Sequence, residues 1–216
     1  MLDEFIKKTV IPKGFILLIS GVPGVGKTTI SYTLLKHCSP FRIIKETDIL
    51  RDSLRGYNAM LFEKYGPALK TLLYDLEIYD NMKLLSLSEA KQQCLLMKKS
   101  LEYTIARQQR KGIATIINGV HIVPETLVDL LNNPNIMFIN LYVTSEENLY
   151  QRLLKRDPES YMLQHIPFIY KTNIDLFHST KKLTSSYNKH IYNIDVTSMS
   201  IKDTSTEILK YIQNIF

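Results

Sequence analysis

Eight consecutive residues constrain this chain more than anything else in it: Gly21-Val22-Pro23-Gly24-Val25-Gly26-Lys27-Thr28. They match G-x-x-x-x-G-K-[ST] at every fixed position, and Thr29 follows directly. The glycines let the backbone curl so that successive amides point inward, a cradle for phosphate oxygens. The context fits. The apolar run Phe15–Ser20 reads as a strand ending at the first glycine, and Ile30 and Leu34 mark a helix over Lys27–Cys38. That helix adds its N-terminal amides and dipole to the cradle. Residues Gly21 to Thr29 are therefore the expected site for a nucleoside triphosphate. Lys27 is expected on the β- and γ-phosphates, and the Thr28 hydroxyl on magnesium. ATP and Mg²⁺ are the expected cofactors.

The rest of the chain alternates apolar runs with helical patterns, the signature of a parallel sheet covered by helices. Further strands are expected at Phe41–Thr47, Ile113–Asn118, Ile136–Val143 and His190–Val196. Five strands with covering helices make an α/β fold in one domain, which 216 residues suit. A short helix is expected over Asp48–Arg55, ending at Gly56. Residues 57 to 87 show no strand pattern and are broken by Gly66-Pro67. From Ser86 the signal sharpens: Ser86 and Glu89 have capping-box spacing, and Ala90, Cys94, Met97, Leu101 and Ile105 form a helical stripe. Residues 56 to 111 thus read as a helical insertion over the sheet. Pro124 is expected to start a helix to about Leu131. Thr144 and Glu147 repeat the capping-box spacing and open a helix carrying Arg152 and Arg156. Residues 159 to 187 read as mostly helical with a break at Pro167. A last helix carries Ile201, Ile208, Leu209, Ile212 and Ile215 on one face.

Asp48 follows the second strand directly, at the carboxyl edge where open α/β sheets bind ligands. A carboxylate there can accept a proton from an attacking hydroxyl, and it can equally serve as a plain N-cap. Arg51 and Arg55 lie one turn apart, suited to clamp an anion or to sit solvated. His121, on the loop after the third strand, reads either as a ligand for a phosphate or carboxylate or as a loop histidine bonded to nearby backbone.

GVPGVGKTT, then TDILR, then Asn118-Gly119-Val120-His121-Ile122-Val123-Pro124 together resemble the 2-phosphoglycerate kinase family. Its members carry G-x-S/P-G-V-G-K-T-T, T-D-x-x-R and E-G-V-H-L/I-V-P in this order, and the correspondence runs from Ser20 to about Arg156. The resemblance implies a nucleoside monophosphate kinase-like fold with strand order 2-3-1-4-5. It also implies ATP-dependent phosphorylation of a small hydroxylated acid or phosphate ester. Asp48, Arg51, Arg55, Asn118 and His121 would then bind the acceptor. Residues from about 152 to 187 would form a lid, whose Arg152 and Arg156 approach the transferring phosphoryl group. Asn118 stands where the family has glutamate, and offers only a neutral carbonyl and amide. Asp48 is thereby the better candidate base.

The charge balance agrees with an anionic partner. Lys and Arg number 27 against 21 Asp and Glu, a formal charge of +6. No more than two basic residues stand together, and no aromatic residues interleave with them, so a nucleic-acid groove is not expected. Two cysteines without metal spacing read as free thiols, and no secretory or membrane segment is visible, so a cytoplasmic protein is expected. A nucleoside, sugar-nucleotide or antibiotic kinase is the alternative within the class. A nucleotide-dependent switch or a polynucleotide kinase is less favoured, since no N-K-x-D sequence and no strong Walker B acid are present.

Overall fold

Alternating side chains decide the layers. In the computed structural model, which describes residues 10–66, 86–187 and 190–216, strand β1 (Ile16–Ser20) is buried along its whole length. Leu17 and Ile19 face one helical layer, and Ile16 and Leu18 face the other. After β1 come α1 (Lys27–His37), β2 (Phe41–Glu46), α2 (Thr47–Tyr65), α3 (Leu87–Arg110) and β3 (Ala114–Asn118). Then follow β4 (Ile136–Tyr142), α4 (Glu146–Arg156), α5 (Ile166–Thr184), β5 (Ile191–Asp195) and α6 (Ile201–Gln213). The strands pair in parallel in the order β2-β3-β1-β4-β5. Each expected strand is present to within one residue at either end.

One face of the sheet packs on α1, α4 and α6 through Ile30, Leu34, Leu149, Leu153, Ile208, Leu209 and Ile212. The opposite face packs on α3, where the stripe Ala90, Cys94, Met97, Leu101 and Ile105 is buried as its spacing predicts. Burying each such aliphatic side chain contributes about 1.5–3 kcal/mol before chain entropy is counted. Ser86 caps α3 by accepting from the Glu89 amide, and its hydroxyl meets the Glu89 carboxylate, the reciprocal box the sequence predicts. Both layers end at the carboxyl edge of the sheet, where β1 and β3 release the chain into loops.

Four expectations are corrected. The helix after β2 does not stop at Gly56; α2 continues to Tyr65 and ends at Gly66, whose φ is 64°. A glycine inside a helix costs about 1 kcal/mol, which weakens a helix without stopping it. The positive-φ backbone at Gly66, with ψ −155°, is open to glycine and is the actual stop. Pro67 and the part of the expected insertion up to residue 85 lie outside the described residues. The segment after Pro124 forms two 3₁₀ turns, Pro124–Thr126 and Val128–Asn132, and no α-helix. α4 is capped by Ser145 through the Asn148 amide, because Thr144 is held instead against Thr197. Finally, Pro167 lies in the first turn of α5, a position that needs no amide donor, so it opens a helix after the 3₁₀ turn Tyr161–His165.

Candidate active site

The turn from β1 into α1 is built by backbone geometry. Gly21 has φ 136°, and a Cβ there would lie 2.5 Å from the Leu141 carbonyl oxygen and 2.8 Å from Val25 Cγ2. Only glycine lets the chain turn this close to β4. Val22 and Val25 anchor the loop in the core below, 4% and 0% exposed. Lys27 opens α1 with its side chain drawn inward, and its Nζ donates to the Val22 carbonyl at 2.9 Å. Burial pushes its pKa down to about 8, against the pull of Asp48 and with the push of Arg156. At neutral pH the ammonium is therefore still charged.

A cavity of about 920 Å³ opens over this loop. Pro23, Gly24, Gly26, Lys27, Thr28 and Thr29 form its floor, and Asp48, Arg51, Asn118 and Gly119 come in from α2 and the end of β3. The structure thus gathers the phosphate loop, the post-β2 carboxylate and an arginine around one space. Asp48 is more than half exposed there, with Arg51 Nη1 3.8 Å from its Oδ1. Arg51 itself is 6% exposed and donates from Nε and Nη2 to Asp52 Oδ1 at 3.1 and 3.0 Å. It therefore lies between two carboxylates, its fork oriented by Asp52.

Asn118 braces the loop rather than merely lining the cavity. Its Nδ2 donates to Ser31 Oγ at 2.9 Å, and Ser31 Oγ donates to the Lys27 carbonyl at 2.9 Å. The amide needed for this bridge is something glutamate lacks.

Arg152 and Arg156 both reach the cavity wall, from the last turns of α4. They are differently employed. Arg152 donates from Nε to Asn148 Oδ1 at 2.6 Å, and from Nη2 to the carbonyls of Val196 and Thr197 after β5. Burial lowers its pKa from the ordinary guanidinium value. Arg156 is exposed, and its charge is felt at Lys27. Its Nη2 lies 3.7 Å from Met162 Sδ, and of the two arginines it is the one whose charge bears on Lys27.

Two expected acceptor ligands lie outside the cavity. His121 is fully buried, with Nδ1 2.9 Å from Thr47 Oγ1. The apolar residues Ile122 and Val123 that follow pull its loop into the core, and the ring with it. Arg55 is exposed on α2, one turn past Arg51, and does not line the cavity. Conversely, Lys155, Tyr161, Met162, His165, Ile169 and Ile201 line the wall and were not legible as site residues. Lys155, beside Arg156, carried the one usable signal, a second cation at the end of the arginine helix.

The donor chemistry suits a hard cation held largely by phosphate oxygens. Thr28 presents a hydroxyl at the cavity floor, and a magnesium ion bound by few protein ligands keeps its waters and takes the rest from phosphates. No group of three His, Cys, Asp or Glu residues able to hold a metal occurs among the described residues. Nor is any helix among them long and apolar enough to cross a membrane.

No family model matches the chain. Among curated proteins it is similar to the 2-phosphoglycerate kinase of Methanococcus vannielii, 31% identical over 150 residues, or 65% of this chain and 47% of that protein. It is also similar to the 2-phosphoglycerate kinase of Methanopyrus kandleri, 30% identical over 138 residues, 61% of this chain and 40% of that one. The chain spans about half the length, or less, of these relatives. Among solved structures, a shikimate kinase from Acinetobacter baumannii, in complex with shikimate, superposes with TM-score 0.51 at 18% identity over 97% of both chains. A thymidylate kinase from Candida albicans gives TM-score 0.51 at 14% identity over 95% of this chain and 93% of that one. The chain therefore has the P-loop kinase fold, and over some two thirds of its length, 65%, its sequence resembles the 2-phosphoglycerate kinases.

Proposed function

We propose that this protein is an ATP-dependent kinase that phosphorylates a hydroxyl group of a small anionic metabolite, with 2-phosphoglycerate as the leading acceptor. The observation that carries this reading is the meeting of the phosphate loop with Asp48 and Arg51 in one cavity. A carboxylate beside the γ-phosphate position has a use in transfer to a hydroxyl, since it orients the nucleophile and takes its proton. The residues from Gly21 to Thr29 hold the triphosphate. Thr28 and the phosphate oxygens would hold magnesium, which when bound neutralises charge on the transferring group.

The cavity's charges support an anionic acceptor. Lys27, Arg51, Arg152, Lys155 and Arg156 line it, against the single carboxylate of Asp48. 2-Phosphoglycerate carries a phosphate, a carboxylate and one free hydroxyl, so it can satisfy cations at one end and present its hydroxyl to Asp48 at the other. Arg51 and Lys155 bind the anion, Arg156 stabilises charge on the phosphoryl group, and Asn118 keeps the Lys27 backbone in place. The segment from Arg152 into α5 acts as the lid, and the end of α2 together with α3, the described parts of the expected insertion, borders the acceptor. Buried free thiols at Cys38 and Cys94 suit the cytoplasm.

Product formation from ATP tests the proposal, measured over a panel of phosphoglycerates, gluconate, shikimate, polyols and nucleosides. The expected result is fastest turnover of an anionic acceptor, 2-phosphoglycerate first. Equal or better use of neutral polyols or nucleosides would refute the acceptor class, and no turnover of any panel member would refute the kinase.

A further inference from the structure

The loop after β3 grips the start of α2 from two sides. A Cβ on Gly119 would stand 1.6 Å from Thr47 Oγ1, so the bare backbone of Gly119 lies directly against that hydroxyl. From the other side His121 Nδ1 reaches the same Oγ1 at 2.9 Å. Thr47 is 1% exposed and His121 is 0% exposed, so no solvent competes for this contact. The next residue after Thr47 is Asp48, whose Oδ1 lies 3.7 Å from the same imidazole nitrogen.

The tautomer follows from the surroundings. A bare lone pair on Nδ1 facing a carboxylate is repelled, whereas an N–H there is attracted by both Asp48 Oδ1 and Thr47 Oγ1. The proton therefore belongs on Nδ1. Nε2, which is buried and has no hydrogen-bond partner among the described residues, is then a bare acceptor, a lesser cost than an orphaned N–H. Burial pushes the ring's pKa down to about 4, so it donates a hydrogen bond as a neutral group and adds no competing cation.

We propose that His121 is a positioning residue: through Thr47 and the Asp48 carboxylate it holds the base aimed into the cavity, without touching the acceptor. This rests on the reading of Asp48 as the base. Misplacing a reacting group by about 1 Å can cost about 10²-fold in rate, so a fixed carboxylate is worth a buried imidazole.

Steady-state kinetics of His121→Leu, His121→Asn, Thr47→Val and the His121→Leu/Thr47→Val double variant test this, with ATP and 2-phosphoglycerate or the panel compound turned over fastest. Asparagine places an amide nitrogen near the position of Nδ1, and leucine does not. His121→Leu is expected to lower kcat by about 10- to 100-fold with the KM for ATP unchanged, and His121→Asn to recover most of that loss. The double variant should be no slower than the worse single, because both act through one contact. Should His121→Leu not fold, a slow Thr47→Val beside a near-normal His121→Asn supports the proposal, and a normal Thr47→Val overturns it. The proposal is also overturned if asparagine is as poor as leucine in folded protein, or if the two losses multiply. Asp48→Asn is assayed in parallel. If Asp48→Asn is impaired while the His121 and Thr47 variants are normal, only this inference falls; if Asp48→Asn is itself normal, the base assignment falls with it.

Discussion

The two walls of the cavity are made in opposite ways. The phosphate side is contiguous: nine residues from Gly21 to Thr29, held by their own backbone conformation and by Val22 and Val25 beneath. The side proposed for the acceptor is assembled from places far apart in the chain. Thr47 and His121 meet across 74 positions of sequence, and the wall opposite comes from the end of α4 and the turn before α5. A site built of backbone amides tolerates little variation and leaves a readable pattern. A site built of side chains on separate elements leaves none, because its members need only the fold in common. The difference predicts that substitutions on the phosphate side act on every acceptor alike, while those on the acceptor side discriminate.

The largest effect is expected at Lys27. Lys27→Ala should lower turnover by about 10²-fold or more for every acceptor, as expected when a charge-stabilising donor is lost. The protein should remain folded by circular dichroism, since Lys27 is a desolvated cation whose pKa burial depresses, not a packing residue. A variant that kept a tenth of the activity would break the comparison at its stronger side.

Asp48→Asn comes next, with a loss in kcat of about 10²-fold and little change in the KM for ATP. A fall in melting temperature with kcat intact would instead make Asp48 a simple helix-start residue, and would leave the acceptor wall without a base.

A smaller effect is expected in stability against pH. Burial, opposed by Asp48 and aided by Arg51 and Lys27, lowers the His121 pKa from 6.5 to about 4. The charge of Asp52 also opposes the shift. Between those values the unfolded chain binds the proton that the folded chain refuses, so stability falls as pH drops from about 6.5 towards 4. The loss should be on the order of 2 kcal/mol in denaturant unfolding, and His121→Asn should abolish that portion of the slope. A wild-type and variant pair with parallel pH profiles would show that the imidazole is not desolvated.

These contrasts explain what the sequence could disclose. The five strands, the phosphate loop and the stripe on α3 follow from spacing, because strand and helix periods write themselves into neighbouring residues, whereas the sheet order came only from the family resemblance. The end of α2 was misread because a glycine weakens a helix in solution, yet α2 runs through Gly56 and stops only at Gly66, where φ turns positive. For His121 the sequence left two readings open, an acceptor ligand or a loop histidine bonded to nearby backbone. Ile122 and Val123 beside it are buried and carry the ring inward, where it meets the Thr47 hydroxyl. Nothing local distinguishes those outcomes. Arg152 and Arg156 were legible as a pair on one helix, but their separate duties depend on the loop after β5, some 40 residues later by the 44-position separation of Arg152 from Val196.

Arg51→Ala should raise the acceptor KM about tenfold, leaving the KM for ATP near normal, because a charge-assisted contact to the acceptor is lost. Lysine at the same position should recover only part, since it keeps the charge but not the fork that Asp52 orients. The pattern should be strongest for doubly charged acceptors and weakest for neutral ones. An equal effect on all acceptors would place Arg51 with the phosphate wall instead.

The smallest effect is expected at Arg55, and its smallness is informative. Arg51 and Arg55 share a helix face by spacing alone, so a reading from sequence treats them as one clamp. In the fold, Arg51 is buried at the cavity while Arg55 is exposed one turn further along α2 and outside it. At that distance its charge is screened by water and salt, and surface substitutions of this kind usually change free energies by about 0.5 kcal/mol or less. Arg55→Ala should therefore alter kcat and the acceptor KM by less than about twofold. Arg156→Ala, by contrast, removes a cation that lines the cavity and acts on Lys27, and should slow turnover severalfold. If Arg55→Ala raised the acceptor KM as far as Arg51→Ala does, α2 would have to reach the acceptor with two turns instead of one. The acceptor wall would then extend along α2 towards residues 57 to 66, and would be larger than the cavity that the fold describes.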